Sequence, residues 1–170
     1  MRMFIAVRTR FAEDALTAAV ARGVRQLVVL GAGLDTYAYR GVMRDRLRIF
    51  EVDHPATQAW KRQRLAQAEI PLPRTLTFAP VDFERQTLGE GLAAAGFDAA
   101  ERSFFTWLGV APYLTEEAAY ATLSFIGSLP GGAGVRKSML AGEEIRWNAL
   151  VKGMATISPK ASRPCTHQTH

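Results

Sequence analysis

The sequence predicts an open, doubly wound α/β sheet of mainly parallel strands, and three observations carry that expectation. Four short apolar runs, at 26–30, 47–53, 75–81 and 103–110, have the length and composition of buried strands rather than of helices. Alanine-rich or amphipathic stretches of helix length lie between them, so strand and helix alternate along the chain. The first strand runs straight into Gly31-Ala32-Gly33, a turn that lets backbone bend sharply and approach a ligand closely. With 170 residues, 48% of them hydrophobic, the chain suffices for one sizeable core.

Taken in order, Arg8-Thr9-Arg10-Phe11-Ala12-Glu13-Asp14 leads into a helix over 15–22, with Phe11, Leu16, Ala19 and Val20 along one stripe and Gly23 at its end. Arg8 and Arg10, just ahead of that helix, either pair with Glu13 and Asp14 or reach the open end of the sheet and grip a carboxylate bidentately. After the glycine turn, a basic connection leads to the second strand, which ends in Glu51-Val52-Asp53. Glu51 and Asp53 share a face because side chains alternate along a strand. Asp53, about 20 positions beyond the first glycine, stands where nucleotide-binding sheets place the carboxylate that accepts both ribose hydroxyls. The plainer reading is a solvated acid at a strand end. His54 follows it as a loop residue.

Pro55 starts a helix over 56–69 with Trp60, Leu65 and Ala68 spaced for one face, and Pro71 and Pro73 break the chain before the third strand. That strand runs into Asp82-Phe83. There a carboxylate can accept the exocyclic amine of an adenine while the ring covers one face of the base. Alternatively Asp82 caps the helix 86–95 and Phe83 is core. The fourth strand, apolar on both faces, ends in Gly109-Val110-Ala111-Pro112-Tyr113-Leu114, and Thr115 is the expected N-cap of a helix reaching Ser128. Trp107 and Tyr113 either flank the edge where a substrate enters or belong to the core.

The turn itself narrows the cofactor. A pyrophosphate fingerprint requires a third glycine where this chain has Thr36, and Asp35 would face a phosphate with like charge. A cofactor with an adenosine ribose, a cationic sulfonium and no phosphate suits the turn better, which is the description of S-adenosylmethionine.

Charge and cysteine exclude other classes. Of the net charge of +5, +4 falls after residue 135, where Arg136, Lys137, Arg146, Lys152, Lys160 and Arg163 face only Glu143 and Glu144. Basic residues in the body, including Lys61, Arg62 and Arg64, interleave with apolar ones and read as solvated faces, so no nucleic-acid stripe is expected. The single cysteine, Cys165, provides neither disulfide nor metal pair and reads as a free thiol in a reducing compartment. No metal, no membrane partner and a cytoplasmic location are expected, since no apolar run has the length of a span or a signal core.

The blocks Arg-Thr-Arg-Phe-Ala-Glu-Asp-Ala at 8–15, Leu-Gly-Ala-Gly-Leu-Asp-Thr-Tyr-Ala-Tyr-Arg at 30–40, Phe-Glu-Val-Asp-His-Pro at 50–55, Val-Asp-Phe at 81–83 and Trp-Leu-Gly-Val-Ala-Pro-Tyr-Leu-Thr-Glu-Glu-Ala at 107–118 together resemble the leucine carboxyl methyltransferase superfamily, in particular its bacterial S-adenosylmethionine-dependent branch. The resemblance covers residues 8 to 134. It implies the Rossmann-like sheet of a class I methyltransferase, with Arg8 or Arg10 on the cofactor carboxylate, Gly31 and Gly33 lining it, Asp53 on the ribose, and Asp82 with Phe83 on the adenine. Three departures stand against it. Leu108 replaces a glutamate of the eukaryotic members, only seven residues precede Arg8, and Val135-Arg136-Lys137-Ser138-Met139 stands where an apolar fifth strand is due. The expectation is therefore a partial methyltransferase domain over 1–135, incomplete at its C-terminal strands, and a divergent basic tail over 136–170 that has lost register with the family, as after a frameshift. In that tail, 143–152 would form at best an improvised helix and 158–170 a disordered end.

The functional expectation is transfer of a sulfonium methyl to an oxygen nucleophile, a carboxylate or hydroxyl of a small molecule. No catalytic residue is assigned, because a carboxylate acceptor needs no base. A fragment that only binds the cofactor is the alternative, and Thr36 disfavours a nicotinamide-dependent oxidoreductase. The oligomeric state is not set by the sequence.

Overall fold

The structure, a computed structural model, describes residues 2–108 and 115–138. Residues 109–114 with Tyr113, the segments 143–152 and 158–170, and Cys165 lie outside the described residues. Five parallel strands form one sheet in the order β3-β2-β1-β4-β5, with β1 at Gln26–Leu30, β2 at Arg48–Asp53, β3 at Leu76–Pro80, β4 at Ser103–Leu108 and β5 at Ala133–Ser138. The chain winds outward from β1 to β3, then returns past β1 and adds β4 and β5 on its other side. This is the doubly wound architecture that the alternation predicts. Leu30 lies opposite Val52 on one neighbour and Trp107 on the other, so the carboxyl ends of β1, β2 and β4 finish level.

Period-two alternation divides the core between the two faces of the sheet. On one, Leu27, Val29, Ile49 and Phe104 pack with Leu16 and Val20 of helix α1 (Arg2–Ala21) and with Tyr37 and Ala38 of helix α2 (Tyr37–Arg40). In register on the other side are Val28, Phe50 and Phe105, all fully buried. Phe97 stands edge-on to Phe50 at 5.6 Å and to Phe105 at 6.1 Å between ring centroids.

Several elements differ from the sequence expectation. α1 starts well before residue 15, so Arg8 and Arg10 lie on the helix rather than ahead of it. Pairs one turn apart support this polar stretch: Arg10 Nε donates to Asp14 Oδ1 at 3.0 Å and the Thr17 hydroxyl to the Glu13 carbonyl at 2.9 Å. Phe11 is 63% exposed, and Ala12 takes the buried position in its place.

The sheet is also less incomplete than expected. β5 pairs with β4 from Ser103↔Ala133 to Leu108↔Ser138, across the point where alternation fails. A parallel ladder is made by backbone groups, so Arg136 and Lys137 do not preclude pairing at the edge of the described sheet.

Helix α3 (Pro55–Gln67) buries Gln58 and Lys61 rather than Trp60, which is 45% exposed. Lys61 is therefore not part of a solvated face. Helix α4 (Leu88–Ala94) is capped by Thr87 in a reciprocal box with Glu90, not by Asp82. A Cβ at Gly91 of this helix would come within 2.3 Å of Val81 Cγ2, so α4 sits directly on the residue before Asp82. Helix α5 (Glu116–Gly127) begins as expected, the Thr115 hydroxyl accepting from Ala118 N–H at 3.2 Å.

Candidate functional site

Between β1 and β4 the winding direction reverses, and in open α/β sheets ligands bind outside the strand ends at that switch point. Two cavities meet there, and Leu30 and Gly31 line both. The larger, about 650 Å³, lies between α1 and the glycine turn and takes in Arg8, Arg10, Glu13, Gly33, Asp35 and Arg40. The smaller, about 300 Å³, lies beyond β2 and takes in Asp53, His54, Asp82, Phe83, Trp107 and Thr122. All seven residues singled out from the sequence, Arg8, Arg10, Gly31, Gly33, Asp53, Asp82 and Phe83, line one cavity or the other.

The turn is held by the neighbouring strand. Gly31 and Gly33 have φ of +61° and +41°, a region that side-chain-bearing residues enter at a cost. Ala32 N–H donates to the Val52 carbonyl at 3.0 Å, and Gly33 N–H donates to Asp53 Oδ2 at 2.6 Å. Asp53 Oδ1 accepts from His54 N–H at 2.7 Å. Each carboxylate oxygen therefore has one lone pair in use and one free for a ligand in the smaller cavity. His54 is the N-cap of α3, its Nδ1 accepting from Ala56 N–H at 3.2 Å, which leaves the proton on Nε2.

The arginines differ from one another. Arg8 is half-buried, and its Nε has no hydrogen-bond partner among the described residues. Arg10 is committed to the exposed pair with Asp14. Arg40, which the sequence reading passed over, donates to Glu13 Oε1 at 2.6 Å and to the Thr36 hydroxyl at 2.8 Å, so it ties α1 to the far end of the turn. Asp35 Oδ1 accepts from Tyr37 N–H at 2.7 Å and so places a carboxylate in the wall of the larger cavity. Asp82 Oδ1 accepts from Glu84 N–H at 3.1 Å, and Arg85 Nε lies 3.4 Å from Oδ2. Trp107 is buried in the core while still bordering the smaller cavity.

Glu51 does not join Asp53 in the site. It is 1% exposed, and its Oε2 lies 2.7 Å from the ammonium of the equally buried Lys61. Burial pushes its pKa up to about 7; Lys61 pulls it back, while Asp35 and Asp53 add to the rise. The signal for this pair was an acid inside an otherwise apolar strand, which demands a buried partner, together with polar residues three apart on α3.

A raised pKa has a definite sign for stability. Between the ordinary carboxylate range and about 7 the folded protein holds a proton that the unfolded chain has released, so Glu51's contribution is complete at low pH and fades as pH rises through that window. The wild type should lose stability relative to Glu51→Gln by up to about 1.4 kcal/mol per pH unit there. Urea denaturation of both proteins from pH 4.5 to 8 tests this, and parallel pH profiles would refute it.

Among the described residues no helix is long and apolar enough to cross a membrane, and no three His, Cys, Asp or Glu side chains are grouped to hold a metal ion.

Comparison with known proteins bears on the family and the fold. Residues 1–127 match the family model for leucine carboxyl methyltransferase. A Bacillus subtilis protein is 37% identical over 75% of this chain and 42% of its own length. One from Streptomyces coelicolor is 41% identical over 72% and 43%, and one from Frankia alni 37% identical over 90% and 54%. All three carry names of S-adenosyl-L-methionine-dependent methyltransferases. The chain thus spans about half, or less, of the length of these relatives. Among solved structures, precorrin-6y C5,15-methyltransferase from Geobacter metallireducens superposes with a TM-score of 0.50 at 12% identity, over 76% of this chain and 61% of that one, a likeness of fold.

Proposed function

The chain belongs to the leucine carboxyl methyltransferase family, and from that premise we propose that it binds S-adenosyl-L-methionine across the two cavities and directs its methyl group to an oxygen nucleophile. The observation that carries the reading is the pair of cavities joined at Leu30 and Gly31, one presenting the Asp53 and Asp82 carboxylates, the other the Arg8 guanidinium. In this reading the free lone pairs of Asp53 accept the ribose hydroxyls, Asp82 accepts the adenine amine and Phe83 covers the base. Arg8, whose Nε is buried without a partner among the described residues, takes the carboxylate of the amino-acid end. Arg10 is its neighbour in that cavity. Asp35 supplies negative charge beside a sulfonium and disfavours the pyrophosphate of a nicotinamide cofactor.

When bound, the cofactor supplies an electrophilic methyl carbon. The protein's share is to hold donor and acceptor in line and to exclude water. A carboxylate acceptor becomes an ester without releasing a proton, so it needs no general base. A hydroxyl acceptor must surrender one. The acceptor we propose is a small carboxylic acid or alcohol.

Calorimetric titration with S-adenosylhomocysteine tests binding, and release of S-adenosylhomocysteine from S-adenosylmethionine in the presence of a panel of carboxylic acids and alcohols tests turnover. Micromolar binding without turnover would reduce the reading to that of a cofactor-binding module. Absence of binding by the folded protein would end it. Arg8→Met should weaken S-adenosylhomocysteine by about ten- to a hundredfold, the worth of a charge-assisted hydrogen bond. It should leave 5′-methylthioadenosine, which has no amino-acid end, unchanged. Equal losses for both ligands would remove Arg8 from that role.

A further inference from the structure

We infer that Lys61 is a positioning residue for the ligand turn, clamping the Asp35 end of that turn to strand β2 from beneath through one buried ammonium. Its Nζ donates to the Asp35 carbonyl at 2.8 Å and lies 2.7 Å from Glu51 Oε2, with the Tyr39 ring centroid at 5.7 Å. Asp35 belongs to the turn, and Glu51 stands two residues before Asp53 on β2. One turn earlier on α3, Gln58 Nε2 donates to the Glu51 carbonyl at 2.7 Å, fixing the helix against the strand and so aiming Lys61.

Beside the backbone bond from Ala32 N–H to the Val52 carbonyl, side chains attach the turn to β2 in two places. On the ligand side, Asp53 Oδ2 accepts from Gly33 N–H. Behind it, Lys61 links the Asp35 carbonyl to Glu51. The first sets where the backbone of the turn stands, and the second sets the direction in which Asp35 leaves it. Because Asp35 Oδ1 receives Tyr37 N–H, that direction also fixes the first residue of α2. Neither Lys61 nor Glu51 lines the two site cavities, so both act through Asp35 and not on a ligand directly.

A merely structural ion pair and a positioning clamp make opposite forecasts for one double variant. Replacing both charges by apolar side chains of similar size, Glu51→Leu with Lys61→Met, removes the desolvation penalty of the pair and commonly costs no stability. It also removes the bond that Lys61 makes to the Asp35 carbonyl. Lys61→Met alone leaves the buried Glu51 side chain without its partner and should be much less stable than the double variant.

The readouts are thermal midpoint, amide hydrogen exchange over residues 31–37 in the ligand-free full chain, and S-adenosylhomocysteine affinity. The double variant is expected to melt well above Lys61→Met. Its 31–37 amides should exchange at least tenfold faster than wild type while the amides of β1 and β4 do not change, and its dissociation constant should rise at least fivefold. Wild-type exchange over 31–37, or wild-type affinity, in the stable double variant would overturn the inference. The affinity arm rests on the cofactor reading above. Should the wild type itself bind no S-adenosylhomocysteine, that reading fails, and the exchange comparison still decides whether Lys61 holds the turn.

Discussion

Asp53→Ala is expected to raise the dissociation constant for S-adenosylhomocysteine at least about a hundredfold, the largest loss of binding for any single substitution in the site. Two effects combine. In the proposed complex the carboxylate accepts both ribose hydroxyls, and a hydrogen bond to a charged group is worth about 1.5–3 kcal/mol; two of them correspond to a hundredfold or more in affinity. The same carboxylate accepts Gly33 N–H at 2.6 Å, so its removal also frees the turn that lines the other cavity. Asp53→Asn separates the two. Its amide oxygen can still accept Gly33 N–H, while its amide nitrogen cannot accept a ribose hydroxyl, and an intermediate loss is expected. Binding of Asp53→Ala within threefold of wild type, measured by calorimetry on folded protein, would exclude Asp53 from ribose recognition.

Phe105→Ala should cost about 3–5 kcal/mol of folding stability, as large-to-small changes of buried aromatics do. That is a large fraction of the 5–15 kcal/mol by which domains of this kind are stable. Phe105 is wholly buried on β4, opposite Val28 of the central strand, and Phe97 leans edge-on against it. Val42→Ala, at a position 85% exposed, should stay within about 0.5 kcal/mol and serves as the control. Urea denaturation measures both, and a loss below 1 kcal/mol for Phe105→Ala would mean that the face repacks.

How much of this was legible before the structure depends on what each residue answers to. β1, β2 and β4 are buried on both faces, so their composition alone declares them. Gly31 and Gly33 are legible because their positive φ admits few alternatives. The early part of α1 is not, because Arg8, Thr9 and Arg10 show no apolar period; that stretch is supported by Arg10–Asp14 and Thr17–Glu13 contacts on its surface. β5 is obscured for a related reason: strand pairing uses backbone groups, and Arg136 and Lys137 conceal it. The burial of Lys61 escapes a reading in which charge means solvent. The acid it serves, Glu51, looked like a second site residue because strand alternation places it on the same side as Asp53, and alternation says nothing about what covers each position. For the candidate site, residue types and order along the chain singled out side chains that line the cavities, whereas the division into two cavities sharing Leu30 and Gly31 is visible only in the structure.

The strand order has a consequence for how the protein is made. β1 finds one neighbour early, since Gln26 pairs with Arg48, but its other neighbour begins only at Ser103. Until ribosomal synthesis has passed that point, the strand at the heart of the sheet presents an open edge, the condition in which nascent chains pair with the wrong partner. Closing that seam brings together residues far apart in sequence, the kind of contact that slows folding. The proposed ligand would straddle the same seam, so it would bind only once β4 has joined β1 and, by mass action, protect the sheet once formed.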